Sequence, residues 1–294
     1  DENGNRSYKS NIGDVTTTVG NARRVMEGKL INEFYLLDTY SGDGSHFFAD
    51  GSVNPAGGPK DGMIRTPEDM LWLQAMNEAG ATFLPNKTIG KKGIWYGDYI
   101  YADANGDGVY GDVNDYMFTG TSMTPKFYYG IQFELGWKGI DFSMLWNGSG
   151  GAQCYWRYVG FNAYSTGGYF TLPKKIAYDH YFYDPENPED PRTNITSGHA
   201  RLTMNYGSEQ NDGQCTSKLF LYDTDYLRLK NLTIGYTFPQ KWMKKISVSD
   251  FRLFFSGENL LTFTKYPGMD PEISDTMNYY ALLRQYSFGL SLKF

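Results

Sequence analysis

Leu282–Phe294 reads Leu-Leu-Arg-Gln-Tyr-Ser-Phe-Gly-Leu-Ser-Leu-Lys-Phe, and its alternation indicates the fold class of the chain. From Tyr286 the even positions carry aromatic or aliphatic side chains, whereas the odd positions from Gln285 carry Gln, Ser, Gly, Ser and Lys. A β-strand turns successive side chains to opposite faces, so the stretch predicts a strand with one apolar and one polar face. Because the apolar residues are large and aromatic, the pattern is typical of a sheet between lipid and water.

Two earlier stretches alternate in the same way and form a predicted hairpin. Phe127–Trp137 carries most of its apolar side chains at odd positions, and Ile140–Trp146 carries them at even positions. Lys138-Gly139 between them is suited to a tight turn. Each arm approaches the roughly 10 residues that a tilted membrane strand needs. We therefore expect an antiparallel pair whose polar face includes Gln132, Glu134 and Asp141.

Three more segments complete the predicted strands. In Asp225–Phe238 the two halves alternate in opposite phase, which a β-bulge near Lys230-Asn231 reconciles. Phe251–Phe255 alternates clearly, and Leu30–Leu37 does so poorly. The sequence thus predicts an all-β chain with about six antiparallel strands, forming a segment of a transmembrane β-barrel wall with long outer loops.

Aromatic residues flank or punctuate the aliphatic stretches of these strands, and Trp137, Tyr226 and Tyr286 are examples. Such placement resembles the aromatic girdles of membrane barrels. A soluble sandwich would fill the same face mainly with Val, Ile and Leu. The pattern favours lipid and leaves the sandwich as an alternative.

One short helix is predicted after residue 65. Thr66 is a suitable N-cap, Pro67 suits the first turn, and Asp69 lies at the acidic position of a capping box. Gly80 is a typical residue just beyond a helix C-terminus. We expect this helix to pack on a loop through its apolar side chains.

Composition excludes several classes of protein. The chain has 294 residues, a net charge of -6, a pI of about 5.2 and a mean hydropathy of -0.51. It contains no apolar run of the roughly 20 residues that a membrane helix requires, and no basic run suited to nucleic acid. His46, His180 and His199 are isolated among loop residues, and we expect them to be solvated. Because no nucleophile lies in a pattern with a base, we predict that the chain is not an enzyme.

Asp103–Asp115 has the spacing of a calcium-binding loop. Oxygen-bearing side chains occupy positions 1, 3 and 5, and Gly108 at position 6 allows the sharp turn. The predicted ligands are Asp103, Asn105, Asp107, the carbonyl of Val109, Asp112 and Asp115. The pattern departs at position 12, where Asn114 replaces the expected bidentate Glu. A calcium site and a solvated, Asx-rich turn are both consistent with the sequence.

The long connection 148–222 is rich in aromatic residues. Tyr155, Trp156 and Tyr158 either stack on sugar rings or pack the connection on itself, and we take them as candidate substrate contacts. The two cysteines, Cys154 and Cys215, lie near the ends of successive predicted strands. Either a disulfide or two thiols is consistent with that placement.

Several of these segments together resemble one family. Asp225–Pro239 (DYLRLKNLTIGYTFP), Glu258–Tyr266 (ENLLTFTKY) and Gly268–Glu272 (GMDPE) look like the late-barrel sequences of SusC/RagA-type TonB-dependent outer-membrane transporters of Bacteroidetes. The Asp103–Gly108 loop and the final aromatic Phe294 fit the same family.

The resemblance implies that residues 1–294 are a C-terminal segment of a barrel that closes with roughly 22 strands. The plug and the N-terminal strands would lie outside it, and Phe294 would serve barrel assembly. The resemblance also implies an integral outer-membrane location in a Gram-negative bacterium. The implied partners are the remaining part of the transporter, a SusD-type surface lipoprotein, TonB acting through the plug, an oligosaccharide or peptide ligand, and lipid.

Two other functions are consistent with the sequence. The first is a secreted, soluble, calcium-dependent glycan-binding β-protein, which would use the Asp103–Asp115 loop and the loop aromatics. It predicts extraction without detergent. The second is a structural surface barrel without a transport role, and a loss of nutrient uptake on deletion of the gene would argue against it.

Overall fold

A computed structural model describes residues 22–26, 28–156, 174–203, 215–273, 280 and 282–294. These residues form mostly β-structure with few helices. They belong to two compact units: unit 1 comprises Asp1–Gly120 and Arg157–Leu221, and unit 2 comprises Thr121–Trp156 and Tyr222–Phe294.

The strands, in chain order, are β1 (Arg23–Arg24), β2 (Glu33–Leu36), β3 (Thr82–Phe83), β4 (Val109–Tyr110), β5 (Met117–Phe118), β6 (Phe127–Trp137), β7 (Ile140–Gly150), β8 (Gln153–Tyr155), β9 (Leu221–Asp223), β10 (Tyr226–Thr237), β11 (Asp250–Thr264) and β12 (Gln285–Lys293). The helices are α1 (Pro67–Glu78), α2 (Lys174–Tyr178) and α3 (Gln240–Met243), with 3-10 turns at Lys218–Phe220 and Lys244–Ile246. Within the described residues, no helix combines the length and apolarity needed to cross a membrane.

Unit 2 is built on one antiparallel sheet of five long strands, in the order β12-β11-β10-β7-β6. These strands have 9 to 15 residues, which matches the length of a tilted membrane strand. β6 and β12 are its two edges. The predicted hairpin is confirmed, because β6 pairs with β7 from Phe127↔Gly150 to Trp137↔Ile140 without a register shift. Its turn has φ values of 48° at Lys138 and 86° at Gly139, a conformation that favours Gly at the second position.

The predicted bulge is also confirmed. The register of β10 shifts between Leu229 and Asn231 against both of its neighbours, β7 and β11. The shift restores a single apolar face along β10, although its sequence alternates in two phases.

Two predicted strands differ from the structure. Leu30–Leu37 contributes only β2, which lies in a separate three-stranded sheet with β1 and β5, so the large sheet has five strands among the described residues, where about six were predicted. Glu33 and Phe34, which lie on opposite faces of β2, are both buried in unit 1, and a segment covered on both sides does not need alternation. The last strand begins at Gln285, three residues after the predicted start, and Phe294 follows its end.

Unit 1 has little regular structure but a substantial core. Its longest helix, α1, has the predicted capping box: the Thr66 side chain accepts from the Asp69 backbone N–H, and the Asp69 carboxylate accepts from that of Thr66. Gly80 lies just beyond the helix with a φ of 102°. Met70, Trp72, Leu73 and Met76 of α1 are buried, whereas Leu71 is exposed. Two differences from the sequence prediction are the additional helices α2 and α3, each only one or two turns long.

Candidate functional site

The five-stranded sheet has an apolar face that stays exposed. The strand register places large apolar side chains in rows across all five strands. Phe288 is 83% exposed. The exposed side chains of this apolar face include Ile131, Phe133, Leu135, Trp137, Ile140, Ile234, Leu253, Tyr286, Phe288, Leu290 and Leu292. A contiguous exposed surface of this size marks a site of contact with another apolar phase or partner.

Aromatic pairs across neighbouring strands hold this apolar face in register. Phe133 of β6 lies 6.0 Å from Phe142 of β7, between ring centroids, and Phe255 of β11 lies 5.1 Å from Phe288 of β12. Such cross-strand pairs are a main stabilising unit of a sheet. Trp137 and Tyr286 lie on this exposed face, as the girdle pattern predicts. Tyr226 does not: it is buried, and its ring lies 5.4 Å from the guanidinium carbon of Arg228.

The opposite face of the sheet is polar, and charged groups bridge its strands. The Arg252 guanidinium on β11 donates to the Asp141 carboxylate on β7 through Nε at 3.0 Å and Nη2 at 2.5 Å. This pair passes over Gly235 of β10, where an added Cβ would lie 2.4 Å from Asp141 Oδ1. Glycine is therefore needed at 235 for the pair to form. On β6, Gln132 Nε2 donates to Glu134 Oε1 at 2.6 Å, so all three predicted polar-face residues share one face.

A buried ion cluster joins two of the motifs that carry the family resemblance. Arg228 is 2% exposed, and its Nη2 donates to Asp270 Oδ1 at 2.8 Å. Its Nη1 lies 3.3 Å from a Glu272 carboxylate oxygen, and Lys230 Nζ lies 3.4 Å from the same carboxylate. Asp270 also accepts from the Glu272 and Leu282 backbone N–H groups. Sequence reasoning identified both motifs but missed the pairing, because 42 residues separate Arg228 from Asp270.

The Asp103–Asp115 loop folds as a tight turn organised by its own carboxylates. Asp103 Oδ1 accepts from the backbone N–H groups of Gly106 and Asp107, and its Oδ2 accepts from that of Gly108. Asn105 and Asp107 each accept from the backbone N–H two residues later. Each of these carboxylate and amide oxygens therefore accepts a hydrogen bond from a backbone N–H group of the same turn.

The second half of the loop centres on Asp115. This carboxylate is buried and accepts from four backbone N–H groups, those of Ala104, Asn105, Gly111 and Asp112. Asp112 accepts instead from Asn114 through the backbone N–H and the side-chain amide, and the Val109 N–H donates to Asp107. In the described parts of the chain, no group of three or more His, Cys, Asp or Glu side chains is placed to hold a metal ion. Calcium binding by this loop stays a prediction.

Of the candidate substrate contacts, two are described by the structure. Tyr155 is buried in unit 2. The Trp156 ring lies 5.8 Å from that of Tyr266 and 6.2 Å from that of Tyr222. Both therefore pack within the chain, and their role as substrate contacts stays a prediction. Tyr158 lies outside the described residues.

The remaining predicted residues are placed as follows. Phe294 is largely exposed, and its role in assembly stays a prediction. Cys154 and Cys215 are both buried, and neither forms a disulfide.

His46 is not a solvated loop histidine, since its Nε2 lies 2.7 Å from a carboxylate oxygen of Asp69 at the start of α1. This contact fixes a long loop on the helix, and sequence spacing gives no sign of it.

No protein-family model matches the chain. Sequence comparison finds TonB-dependent receptor P3 of Formosa agariphila, which is 30% identical over 212 residues, or 67% of this chain and 19% of that protein. It also finds TonB-dependent receptor SusC of Bacteroides thetaiotaomicron, which is 23% identical over 199 residues, or 66% of this chain and 17% of that protein. The chain thus spans less than a fifth of the length of these curated relatives. Their names are those of receptors and not of enzymes, which agrees with the sequence prediction.

Structure comparison finds the RagAB peptide importer in its open-open state, with a TM-score of 0.50 and 25% identity over 73% of this chain and 22% of that chain. The closed-closed state of the same importer matches with a TM-score of 0.50 at 22% identity, and it supports the fold alone. These findings confirm the resemblance that the sequence motifs indicate. By sequence and by fold, over about two thirds of its length, the chain is a homologue of the SusC/RagA-type TonB-dependent receptors.

Proposed function

We propose that the five-stranded sheet is part of the barrel wall of a TonB-dependent importer in the outer membrane of a Gram-negative bacterium. The observation that carries this proposal is the apolar face, which crosses all five strands and remains exposed. In water, a surface of this kind favours aggregation or association. In a bilayer it is the expected outer surface of a barrel, with the polar face lining the lumen.

The two edges of the sheet support a role within a larger barrel. β6 and β12 each pair on one side only within the described residues, which leaves backbone N–H and C=O groups without a ladder partner on the other side. Lipid cannot hydrogen-bond such groups, so a sheet with open edges is not stable in a bilayer. We propose that both edges pair with further strands of the same transporter, and that Phe294 at the end of β12 serves assembly of the closed barrel.

The partners and cargo of the importer follow from the same proposal. A SusD-type surface lipoprotein would cover the barrel, and TonB would act through a plug to open the path. The cargo would be an oligosaccharide or a peptide, and the structural relative carries the name of a peptide importer. The chain's own polar groups, such as the Asp141–Arg252 pair, would line the path without making or breaking a covalent bond.

Spin-label accessibility tests the membrane role directly. Leu290 and Ser291 are consecutive residues of β12 on opposite faces of the sheet. We would change each to Cys in a background where both buried native cysteines are Ser, attach a nitroxide label, and record collision rates with oxygen and with a water-soluble nickel complex in outer-membrane vesicles. We expect the label at 290 to collide mainly with oxygen and the label at 291 mainly with nickel.

Equal nickel accessibility at both positions, together with extraction of the protein by buffer alone, would support the soluble glycan-binding alternative and exclude a barrel wall. Transport needs a separate measurement. Deletion of the gene should abolish uptake of the cargo, and retained uptake would favour a structural barrel without a transport role.

A further inference from the structure

We infer that a basic rim at one end of the five-stranded sheet binds the headgroups of anionic phospholipids. The rim is made by the turn 138–139 between β6 and β7, the connection 238–249 between β10 and β11, and the end of β12. Its exposed lysines are Lys138, Lys241, Lys244, Lys245 and Lys293. This binding assigns a particular lipid to the barrel wall proposed above, and it rests on that proposed function.

Backbone hydrogen bonds bring the three segments of the basic rim together. The Thr237 N–H donates to the Gly139 carbonyl at 2.7 Å, which joins the first turn to the end of β10. The Ser249 N–H donates to the Lys293 carbonyl at 2.7 Å, which joins the connection 238–249 to the end of β12. The lysines therefore lie at one end of the sheet, although they come from three separate parts of the sequence.

The connection 238–249 is anchored by two buried side chains and exposes two other apolar ones. Met243 and Val248 are buried, and the Val248 N–H donates to the Met243 carbonyl at 3.2 Å. Trp242 and Ile246 are 57% and 62% exposed, and they alternate with the three lysines of the same connection. Such a segment suits the level of lipid headgroups, where apolar side chains enter the acyl boundary and ammonium groups contact phosphates.

The positive charge of the basic rim is not balanced by nearby carboxylates. Among the described residues, none of the five lysines forms an ion pair, whereas Arg201 and Arg252 do. The sequence of these strand ends and turns adds only the acidic residues Asp250 and Asp141, and Asp141 already pairs with Arg252. The net charge of the whole chain is -6, so the rim opposes the overall charge. An anionic phosphodiester complements this local excess, and a zwitterionic headgroup does so less well.

The basic rim is continuous with the apolar face of the sheet. Lys138 Nζ lies 4.8 Å from the centre of the Trp137 ring, and Trp137 is an exposed side chain of the apolar face. One phospholipid can therefore place its headgroup on the rim and its acyl chains on the face. The connections at this end, 138–139 and 238–249, are shorter than 151–225 and 265–284 at the other end. Short turns of outer-membrane barrels face the periplasm, so the phospholipids of the periplasmic leaflet are within reach.

Quenching of Trp242 fluorescence by brominated lipids tests the inference. We would reconstitute the full chain in phosphatidylcholine vesicles and add brominated phosphatidylglycerol or brominated phosphatidylcholine at equal mole fractions. Subtraction of the Trp242→Phe variant isolates the signal of this one tryptophan. We expect phosphatidylglycerol to associate at least about fivefold more tightly at Trp242, the preference that one lysine near the headgroups supplies. Salt should weaken this preference, because it screens exposed charges.

Two sets of lysine variants assign the preference to the basic rim. Changing Lys241, Lys244 and Lys245 together to Ser should bring the two lipids close to equal quenching. These side chains are exposed, so the fold should survive their removal. The matched control changes Lys126 and Lys265 to Ser, which removes exposed lysines at the opposite end of the sheet and should leave the preference intact.

Equal quenching by the two lipids in the unaltered chain would overturn the inference and favour an acidic protein as the partner of the rim. A preference that survives loss of the three lysines would overturn it as well. The spin-label experiment on β12 separates this failure from failure of the importer. If the lipid pattern is found on β12 and the phosphatidylglycerol preference is not, only the rim assignment falls. If the preference depends on the lysines and the β12 pattern is absent, the rim binds a membrane surface and the barrel-wall proposal falls.

Discussion

Unit 1 and the sheet of unit 2 treat large apolar side chains in opposite ways. Trp72 of unit 1 is 0% exposed, whereas Phe288 of the sheet is 83% exposed. Burial away from water stabilises the first arrangement without help from outside the chain. The second arrangement is typical of a face that contacts another apolar phase or partner. One chain thus combines a core that is closed to water with a sheet face that is open to another apolar phase or partner.

The two units also differ in how they satisfy backbone polar groups. The sheet uses continuous ladders, such as the eleven paired positions between β6 and β7. Unit 1 has mostly irregular backbone, and side chains supply the missing partners. The Tyr40 hydroxyl donates to the Gly57 carbonyl at 2.7 Å, and the Trp72 indole N–H donates to the Asn54 carbonyl at 2.8 Å. Buried carbonyls need such partners, so the aromatic residues of unit 1 act as hydrogen-bond donors as well as core.

Truncating one aromatic residue in each unit should have the largest effect and should show the contrast. Trp72→Ala opens a cavity and removes a buried hydrogen bond, and we expect a loss of about 3–5 kcal/mol in the stability of unit 1. Phe288→Ala should leave unit 1 unchanged. Hydrogen exchange of the α1 amides, followed by mass spectrometry on the full chain in lipid, measures this. Unchanged protection of α1 in the Trp72 variant would show that the core is not what holds unit 1.

Introducing a charge on each face of the sheet should have the next largest effect. Phe288→Arg places a guanidinium on the apolar face, and burial of that charge in a bilayer should cost about 2–4 kcal/mol near the midplane. Ser287→Arg, one residue earlier, faces the polar side and should cost little. The midpoint concentration of guanidinium chloride for unfolding each variant in lipid vesicles measures the difference. If both variants behave alike, the apolar face does not meet lipid, and the comparison of the two units loses its physical basis.

The alternation of polar and apolar residues predicted β6, β7, β10 and β11, including the bulge before Asn231. The prediction succeeded because successive side chains of a strand point to opposite faces, so a sheet with one apolar and one polar face has an alternating sequence. Unit 1 has no such period. Its Arg65 Nη1 donates to the Ser197 carbonyl 132 residues away, and Arg201 pairs with Asp98 over 103 residues. Contacts at that separation leave no local pattern, so most of the unit 1 core was not predicted.

The local capping chemistry of α1 was predictable for the opposite reason. Thr66 and Asp69 satisfy each other's backbone N–H groups within one turn, so four consecutive residues contain the whole interaction. The partner of Asp69 beyond the helix, His46, lies 23 residues earlier and was missed. The same side chain was thus predicted in its local role and not in its long-range one.

Filling the space beneath the Asp141–Arg252 pair should have an intermediate effect. Gly235→Ala would place a Cβ 2.4 Å from Asp141 Oδ1 and 2.5 Å from Arg252 Nη2, and we expect a cost of about 1–3 kcal/mol from the forced shift. The control is Gly136→Ala in the same sheet, where an added Cβ meets nothing within 4 Å. The midpoint concentration of urea for unfolding in lipid vesicles is measured for both variants. Equal midpoints would mean that the ion pair rearranges freely, and that the polar face is less fixed than the apolar one.

The Asp103–Asp115 turn gives the smallest expected effect and tests how unit 1 uses its carboxylates. Asp107→Asn keeps an oxygen for the Val109 N–H but removes a charge, so the turn should persist while any calcium affinity falls by about tenfold. Asp103→Ala removes the acceptor for three backbone N–H groups, so it should disturb the turn as well as the ion. Calcium calorimetry, with hydrogen exchange of residues 103–115, separates the two. If the unaltered chain gives no heat signal with calcium, these carboxylates only stabilise the turn. The loop would then resemble the rest of unit 1, where side chains supply hydrogen-bond partners to an irregular backbone.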